Sequence, residues 1–180
     1  MKKDRMKLKV CLVGERAVGK TSLVRRFVLD EFNDRYIRTL GTKVSKKKLN
    51  VAHPSENTEY QVSMTIWDIM GEKSFTDLLQ EAFFYGAKGV IAVCDLTRKR
   101  TLRELKGWID GVYEVTGEVP VTILGNKRDL KDRIQLRMKD IRRLSKEYHS
   151  KAFLTSAKTG ENVEDAFRNL AEEMVSSANK

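Results

Sequence analysis

The sequence predicts an α/β domain whose mostly parallel sheet is covered by helices on both sides. Three observations carry this: strand-length apolar runs alternate with segments of helical period, the runs are near-continuously apolar, and each ends in polar residues. Strands buried on both faces read this way, and strand-helix alternation builds a parallel sheet. The first run, LKVCLVG (Leu8 to Gly14), leads through GERAVGKT into an amphipathic helix holding Leu23, Val24, Phe27 and Val28. From Gly41 to Trp67 the rhythm changes, with TKVSKKKLNV and YQVSMTIW alternating in polarity around AHPSENTE. That pattern predicts an antiparallel hairpin at a sheet edge, where lysines discourage sheet-to-sheet pairing. GVIAVCD (Gly89 to Asp95) is the next buried strand, followed by a helix with Leu102, Leu105, Ile109 and Val112 on one face. VTILGNK (Val121 to Lys127) and AFLTSA (Ala152 to Ala157) are the last two strands, and Val163, Phe167, Leu170 and Met174 mark the closing helix.

A length of 180 residues suits one domain spanning 1–180, with about 1–6 and 177–180 expected to fray. No internal repeat, low-complexity segment or interdomain linker is present. No apolar run approaches the roughly 18 residues of a membrane span. MKKDRMKLKV lacks the apolar core of a signal peptide. These features predict a cytoplasmic protein with no integral membrane segment. Cys11 and Cys94 both lie in apolar strand-like runs and are expected to be reduced core residues. The net charge of +10 attracts phosphates, whether on nucleic acid, anionic lipid or nucleotide. The basic residues are dispersed, with only short clusters such as Lys46-Lys47-Lys48 and Arg142-Arg143 and no aromatic-interleaved basic tract. A solvated face is therefore expected, and no specific nucleic-acid site.

Chemistry gathers in the loops after the strands, where ligands bind in open parallel sheets. GERAVGKT matches Gly-x-x-x-x-Gly-Lys-Thr between a strand and a helix. Its backbone, through Glu15, Arg16, Ala17, Val18 and Gly19 to Ser22, would wrap N–H groups around phosphate oxygens, aided by the helix amino terminus. Lys20 would reach the β and γ phosphates and the Thr21 hydroxyl would ligate magnesium. A bare strand-to-helix turn is the plain alternative. Asn126-Lys127-x-Asp129, followed by Leu130, selects the base: an ionised Asp129 accepts from the ring N–H and exocyclic amine of guanine, whereas adenine presents an acceptor there. Leaving such a carboxylate unpaired can cost about 10⁴-fold in discrimination. Asn126 would brace loops and Lys127 would lie over the base. In Ser156-Ala157-Lys158, the Ala157 N–H would serve the guanine carbonyl. Asp68-x-x-Gly71 would put a carboxylate beside the magnesium shell and let the Gly71 N–H approach the γ-phosphate.

With GERAVGKT, WDIMG, GNKRDL and TSAK in this order, the chain resembles the Ras-like small GTPases, and the Rab branch most closely. FFYGAKGVIAVCDLT and TLRELKGWI also look Rab-like, and the resemblance covers about the whole chain. It implies a P-loop GTPase domain with a six-stranded, mostly parallel sheet, one antiparallel edge strand and five flanking helices. It implies a monomeric switch that binds GTP or GDP with Mg²⁺, hydrolyses GTP slowly, and orders two loops in the GTP state. Thr39 in RTLGT would then offer its hydroxyl to magnesium and its N–H to the γ-phosphate. Phe32 would stack edge-on against guanine and Tyr36 would cover the phosphates; without the family, Phe32 reads as a packing residue. Effectors, exchange factors and activating proteins would bind the switch loops, 32–43 and 68–79.

The chain departs from the family in four places. The second switch reads WDIMGE, so Glu72 stands where a glutamine usually orients the attacking water. An acceptor-only carboxylate either binds that water as a base or is repelled from the γ-phosphate. Arg16 occupies a phosphate-loop position that often carries glycine or a small residue. It would either block an activator's arginine finger or pair with Glu72 and stabilise transition-state charge. Lys20, Thr39, Gly71, Glu72 and Arg16 are thus the candidate catalytic group, and Thr21, Thr39 and Asp68 the candidate metal ligands. The turn around Ala52 to Thr58 is longer than the usual Rab pattern. The carboxyl end lacks a prenylation cysteine motif, so peripheral membrane association is expected only if a lipidated tail has been removed. A GTP-binding scaffold with little hydrolysis is the alternative function. A P-loop kinase or ATPase is disfavoured by NKRD and SAK, and a basic nucleic-acid binder ranks last.

Overall fold

The computed structural model describes residues 2–53 and 55–178. Six strands, β1 (Lys2–Val13), β2 (Thr42–Ala52), β3 (Thr58–Ile69), β4 (Ala87–Asp95), β5 (Val121–Asn126) and β6 (Lys151–Leu154), form one sheet in the order β2-β3-β1-β4-β5-β6. Only β2 runs antiparallel to its neighbour, and it lies at the edge. The helices are α1 (Lys20–Leu29), α2 (Lys73–Phe84), α3 (Lys99–Arg103), α4 (Leu105–Thr116), α5 (Met138–Glu147) and α6 (Val163–Ala178). Glu104 alone separates α3 from α4, so these two act as one interrupted helix and five helices flank the sheet.

The apolar stripes decide which face each helix covers. Leu23, Val24 and Phe27 of α1 and Phe167, Leu170 and Met174 of α6 pack with Val10, Leu12, Met64, Ile66 and Ile91 on one side. The Phe27 and Phe167 rings stack with centroids 4.1 Å apart, and burying a side chain such as Phe167 is worth about 1.5–3 kcal/mol. Phe83 and Phe84 of α2, Leu105 and Trp108 of α4 and Ile141 of α5 pack with Cys11, Val90 and Ile123 on the other. Cys11 and Cys94 are free and fully buried, and burial pushes both thiols up to about 12. The sheet order reverses at β1, which has β3 on one side and β4 on the other. Such a switch point opens a crevice at the carboxyl ends of the strands.

Three expectations need correction. Residues 2–6, expected at a frayed end, are drawn into the sheet: Lys2 to Met6 pair in parallel with Thr58 to Val62, because a long β3 supplies ladder partners for each of them. At the other end α6 continues through Ala178, carrying residues 177 and 178 as helix, while residues 1, 179 and 180 lie outside the described residues. The segment 68–79 is only briefly a loop. Asp68 and Ile69 close β3 and Lys73 onward is helical, leaving 70–72 irregular. The first turn of α2 is fixed by the Thr76 N–H on Glu72 O and the Thr76 hydroxyl on Met70 O.

Candidate functional site: a phosphate loop, a metal corner and a base pocket

A cleft of about 540 Å³ opens at the carboxyl ends of β1, β3 and β5 and is roofed by residues 32–40. Its floor is GERAVGKT. Lys20, almost fully buried, donates to the carbonyls of Gly14 (2.7 Å) and Glu15 (2.9 Å). Burial lowers its pKa to about 8, against the opposing pull of Asp68 and Glu15. Gly19 has φ 101° and a Cβ there would lie 2.3 Å from Asn126 Nδ2, so only glycine lets the loop meet β5.

Asn126 joins three loops. Its Nδ2 donates to Val18 O (3.0 Å), and its Oδ1 accepts from the Thr155 hydroxyl (3.2 Å) and the Ala157 N–H (3.3 Å). Lys127 donates to Ala17 O (2.8 Å) and pairs with Asp95 (2.9 Å). Asp129, half-buried, accepts from the Ser156 hydroxyl (2.7 Å). Asp129, Leu130, Ala157 and Lys158 line one end of the cleft together with Asn126, Lys127 and Ala17. Phe32 lines it too while packing against the α1/α6 core.

At the other end Thr21, Thr39 and Asp68 meet. The Thr21 hydroxyl donates to Asp68 Oδ2 and lies 2.9 Å from the Thr39 hydroxyl. Asp68 Oδ1 is buried without a partner, and burial raises the pKa of that carboxyl despite Thr21 and Lys20 nearby. An all-oxygen set with one orphaned acceptor fits Mg²⁺, which takes one or two carboxylates and completes its shell with phosphate and water. Among the described residues, no group of three or more His, Cys, Asp or Glu could hold a metal by itself, so the nucleotide would supply the remaining ligands.

Gly71 packs against the phosphate loop so closely that a Cβ would meet Arg16 N at 2.4 Å. Beside it Glu72 Oε1 lies 3.9 Å from Arg16 Nη1 and makes an ion pair with Arg38 that lacks hydrogen-bond geometry. Tyr36, exposed, and Ser22 also line the cleft.

Three expected residues do not line the cleft. Glu15 accepts from Trp108 Nε1 (3.2 Å), Val18 is core, and Ser156 is fully buried beneath Asp129. Glu15 and Ser156 instead spend their side chains on Trp108 and Asp129, and Val18 meets Asn126 through its carbonyl. Several residues of the site carried no readable signal. Arg38 was unremarkable in sequence. Arg26 of α1 braces the Ala157 and Lys158 carbonyls. Arg98 donates to Arg16 O (2.9 Å) and to Asp95 (3.0 Å). Asp95 is almost fully buried and also accepts from the Thr97 N–H (2.8 Å) and hydroxyl (2.7 Å). Burial acts to raise its pKa, but these bonds with those of Lys127 and Arg98 together hold it below the usual carboxylate value. The one available hint was position: Asp95 is the polar residue that ends a buried strand.

The sequence model of the Ras family matches residues 9–176. The chain is 33% identical over 173 residues to Ras-related protein Rab-8B of Homo sapiens, covering 96% of this chain and 80% of that protein. It is 30% identical over 168 residues to Ras-related protein Rab-13 of Rattus norvegicus (93% and 79%) and 32% identical over 171 residues to Ras-related protein Rab-21 of Bos taurus (94% and 74%). Taken with GERAVGKT, the Thr21–Thr39–Asp68 oxygen trio and the NKRD and SAK loops gathered in one cleft, this means that the chain belongs to the Ras family of small GTPases, on its Rab branch, and is a GTP-binding molecular switch.

Proposed function

We propose that this GTPase cycles between GTP and GDP states and hydrolyses GTP slowly by in-line attack of water on the γ-phosphate. The observation that carries the reading is the polarity of the cleft: a base-reading acceptor, Asp129, at one end and the oxygen trio of Thr21, Thr39 and Asp68 at the other. Asp129 selects guanine by accepting from its two donors, held in place by the Ser156 hydroxyl, while the Ala157 N–H meets the base carbonyl. Lys20, already anchored on two loop carbonyls, presents its ammonium to the β and γ phosphates. A bound Mg²⁺ would neutralise charge between those phosphates. Thr39 and the Gly71 N–H then report the γ-phosphate to the two switch segments, which are where effectors, exchange factors and activating proteins bind. Glu72 orients the attacking water as an acceptor, with Arg38 and Arg16 offsetting its repulsion from the phosphate. In-line chemistry of this kind runs at about 10⁻⁴ per second unaided and up to about 10⁵-fold faster with an activator.

A second reading is favoured by the same acceptor-only carboxylate: a nucleotide-stabilised scaffold that barely turns over. Single-turnover hydrolysis separates them. The protein is loaded with GTP, started with magnesium, and its nucleotide followed by chromatography for hours. Conversion at or above the unaided family rate is expected. GTP still intact and bound would move the assignment to the scaffold, and displacement of GDP by equimolar ATP would overturn guanine selection.

A further inference from the structure

The amino-terminal part of the sheet carries a cationic patch outside the cleft. Strand register places Lys3, Arg5, Lys7 and Lys9 of β1 on the same face as Lys46 and Lys48 of β2. Between the two rows runs a neutral column from β3, Gln61, Ser63 and Thr65. The opposite side of these strands is covered by α1 and α6, where Leu8, Val62 and Leu49 are buried. On the cationic side every lysine and arginine named is exposed except Lys9, which is half-buried over the Trp67 ring at 3.7 Å. Glu59 is the one acid in this registered patch and lies 3.9 Å from Lys3 Nζ. Among the described residues, Arg5, Lys7, Lys46 and Lys48 have no ion-pair partner.

We propose that this face docks the protein onto an anionic lipid membrane. Like charges on one sheet face destabilise it, and solubility is served as well by mixed signs, so a one-sign face is accounted for by a ligand of opposite charge. The geometry selects the kind of ligand. Cations repeat about every 7 Å along β1, and the two rows stand about 10 Å apart across β3. The cations are thus spread over two separated rows of an open sheet face and are not lined up along one track. Single-stranded nucleic acid is held by aromatic stacking as well as charge. Here the aromatic at the patch edge, Trp67, is capped by Lys9. A lipid headgroup plane asks only for cations spread over an area. The patch uses β1 up to Lys9 and β3 up to Thr65, and none of its cations lines the nucleotide cleft at the carboxyl ends of these strands. Docking therefore needs neither a particular nucleotide nor a lipidated tail.

The test is vesicle sedimentation of the GDP-loaded full chain at 0.1 M salt, with phosphatidylcholine vesicles containing or lacking 30% phosphatidylserine. Two variants lose the same charge: Lys3→Gln, Arg5→Gln, Lys7→Gln, Lys48→Gln on the sheet, and Lys139→Gln, Arg142→Gln, Arg143→Gln, Lys146→Gln on α5. Each surface cation is worth about fivefold in partitioning before screening. The sheet variant should lose at least tenfold of the wild-type binding to anionic vesicles and still bind GDP, while the α5 variant stays within threefold. Equal losses in the two variants, no sedimentation of the wild type with anionic vesicles, or stronger binding to single-stranded RNA at equal phosphate each overturn the proposal.

Discussion

Glu72 Oε1 stands between two arginines that belong to different parts of the switch, Arg16 on the phosphate loop at 3.9 Å and Arg38 in direct ionic contact on the roof. From the sequence, Arg16 and Glu72 read as a pair because both replace the family's usual small or amide residues near the γ-phosphate. Arg38 could not be read that way, because it takes three-dimensional closure of residues 32–40 to bring it there. Distance now ranks the two partners. All three side chains keep solvent contact, so each interaction falls in the range of about 0.2–1 kcal/mol measured for such pairs. A double-mutant cycle on single-turnover hydrolysis with Arg38→Gln and Glu72→Gln should give a coupling near the top of that range. The corresponding cycle with Arg16→Gly should give a smaller one. Additive effects in the Arg38 cycle would show that Glu72 works without it.

The elements place the chemistry through braces that most of the motifs do not contain. The phosphate loop follows β1, yet its outer turn hangs on β4, because Asp95 holds both Lys127 and Arg98 and these bind the carbonyls of Ala17 and Arg16. Strands and helices were legible because buried strands and amphipathic helices leave periodic marks. The amino-terminal half of β1 was not, since its alternation of lysine with other residues resembles a polar tail until β3 supplies hydrogen bonds. Asp95 was equally hidden, as a lone acid ending a strand has no spacing to mark it. Replacing it with alanine leaves the partly exposed Lys127 and Arg98 and the Thr97 donors without their shared acceptor and should cost about 1–3 kcal/mol, measured by urea denaturation at pH 7. Its sign with pH is fixed by the depressed pKa. The ionic part of the contribution is fully present above the ordinary value of 3.8 and fades as pH falls through the lower folded value, so the stability difference between wild type and Asp95→Ala should narrow below that point. A difference that persists undiminished at pH 2 would assign Asp95 a packing role instead.

At the scale of the whole molecule, the two ends of the cleft meet at the phosphate loop, where Asn126 and Lys127 bind the carbonyls of Val18 and Ala17. One end of the cleft is built by the loops after β5 and β6 and the other by α1, β3 and the roof; GERAVGKT, NKRD and SAK were legible from residue types at fixed spacing, whereas Thr39 and Phe32 were reached only through the family resemblance. What was not legible is how deeply the charged groups of the cleft are buried: Lys20 is buried on two loop carbonyls with its pKa pulled down to about 8, and Asp68 Oδ1 is buried with no partner. Both are charges removed from water, and phosphate and Mg²⁺ are the groups that would compensate them. A ligand present at 1,000 times its dissociation constant stabilises by about 4.1 kcal/mol, and a domain of this size shifts by about 2–4 °C per kcal/mol. Stripping GDP with EDTA should therefore lower Tm by roughly 10 °C in differential scanning fluorimetry. GDP with magnesium should restore it and ATP with magnesium should not. Restoration by ATP would mean that the base pocket contributes little to nucleotide binding, and an unchanged Tm would mean that the buried charges are compensated by the protein itself.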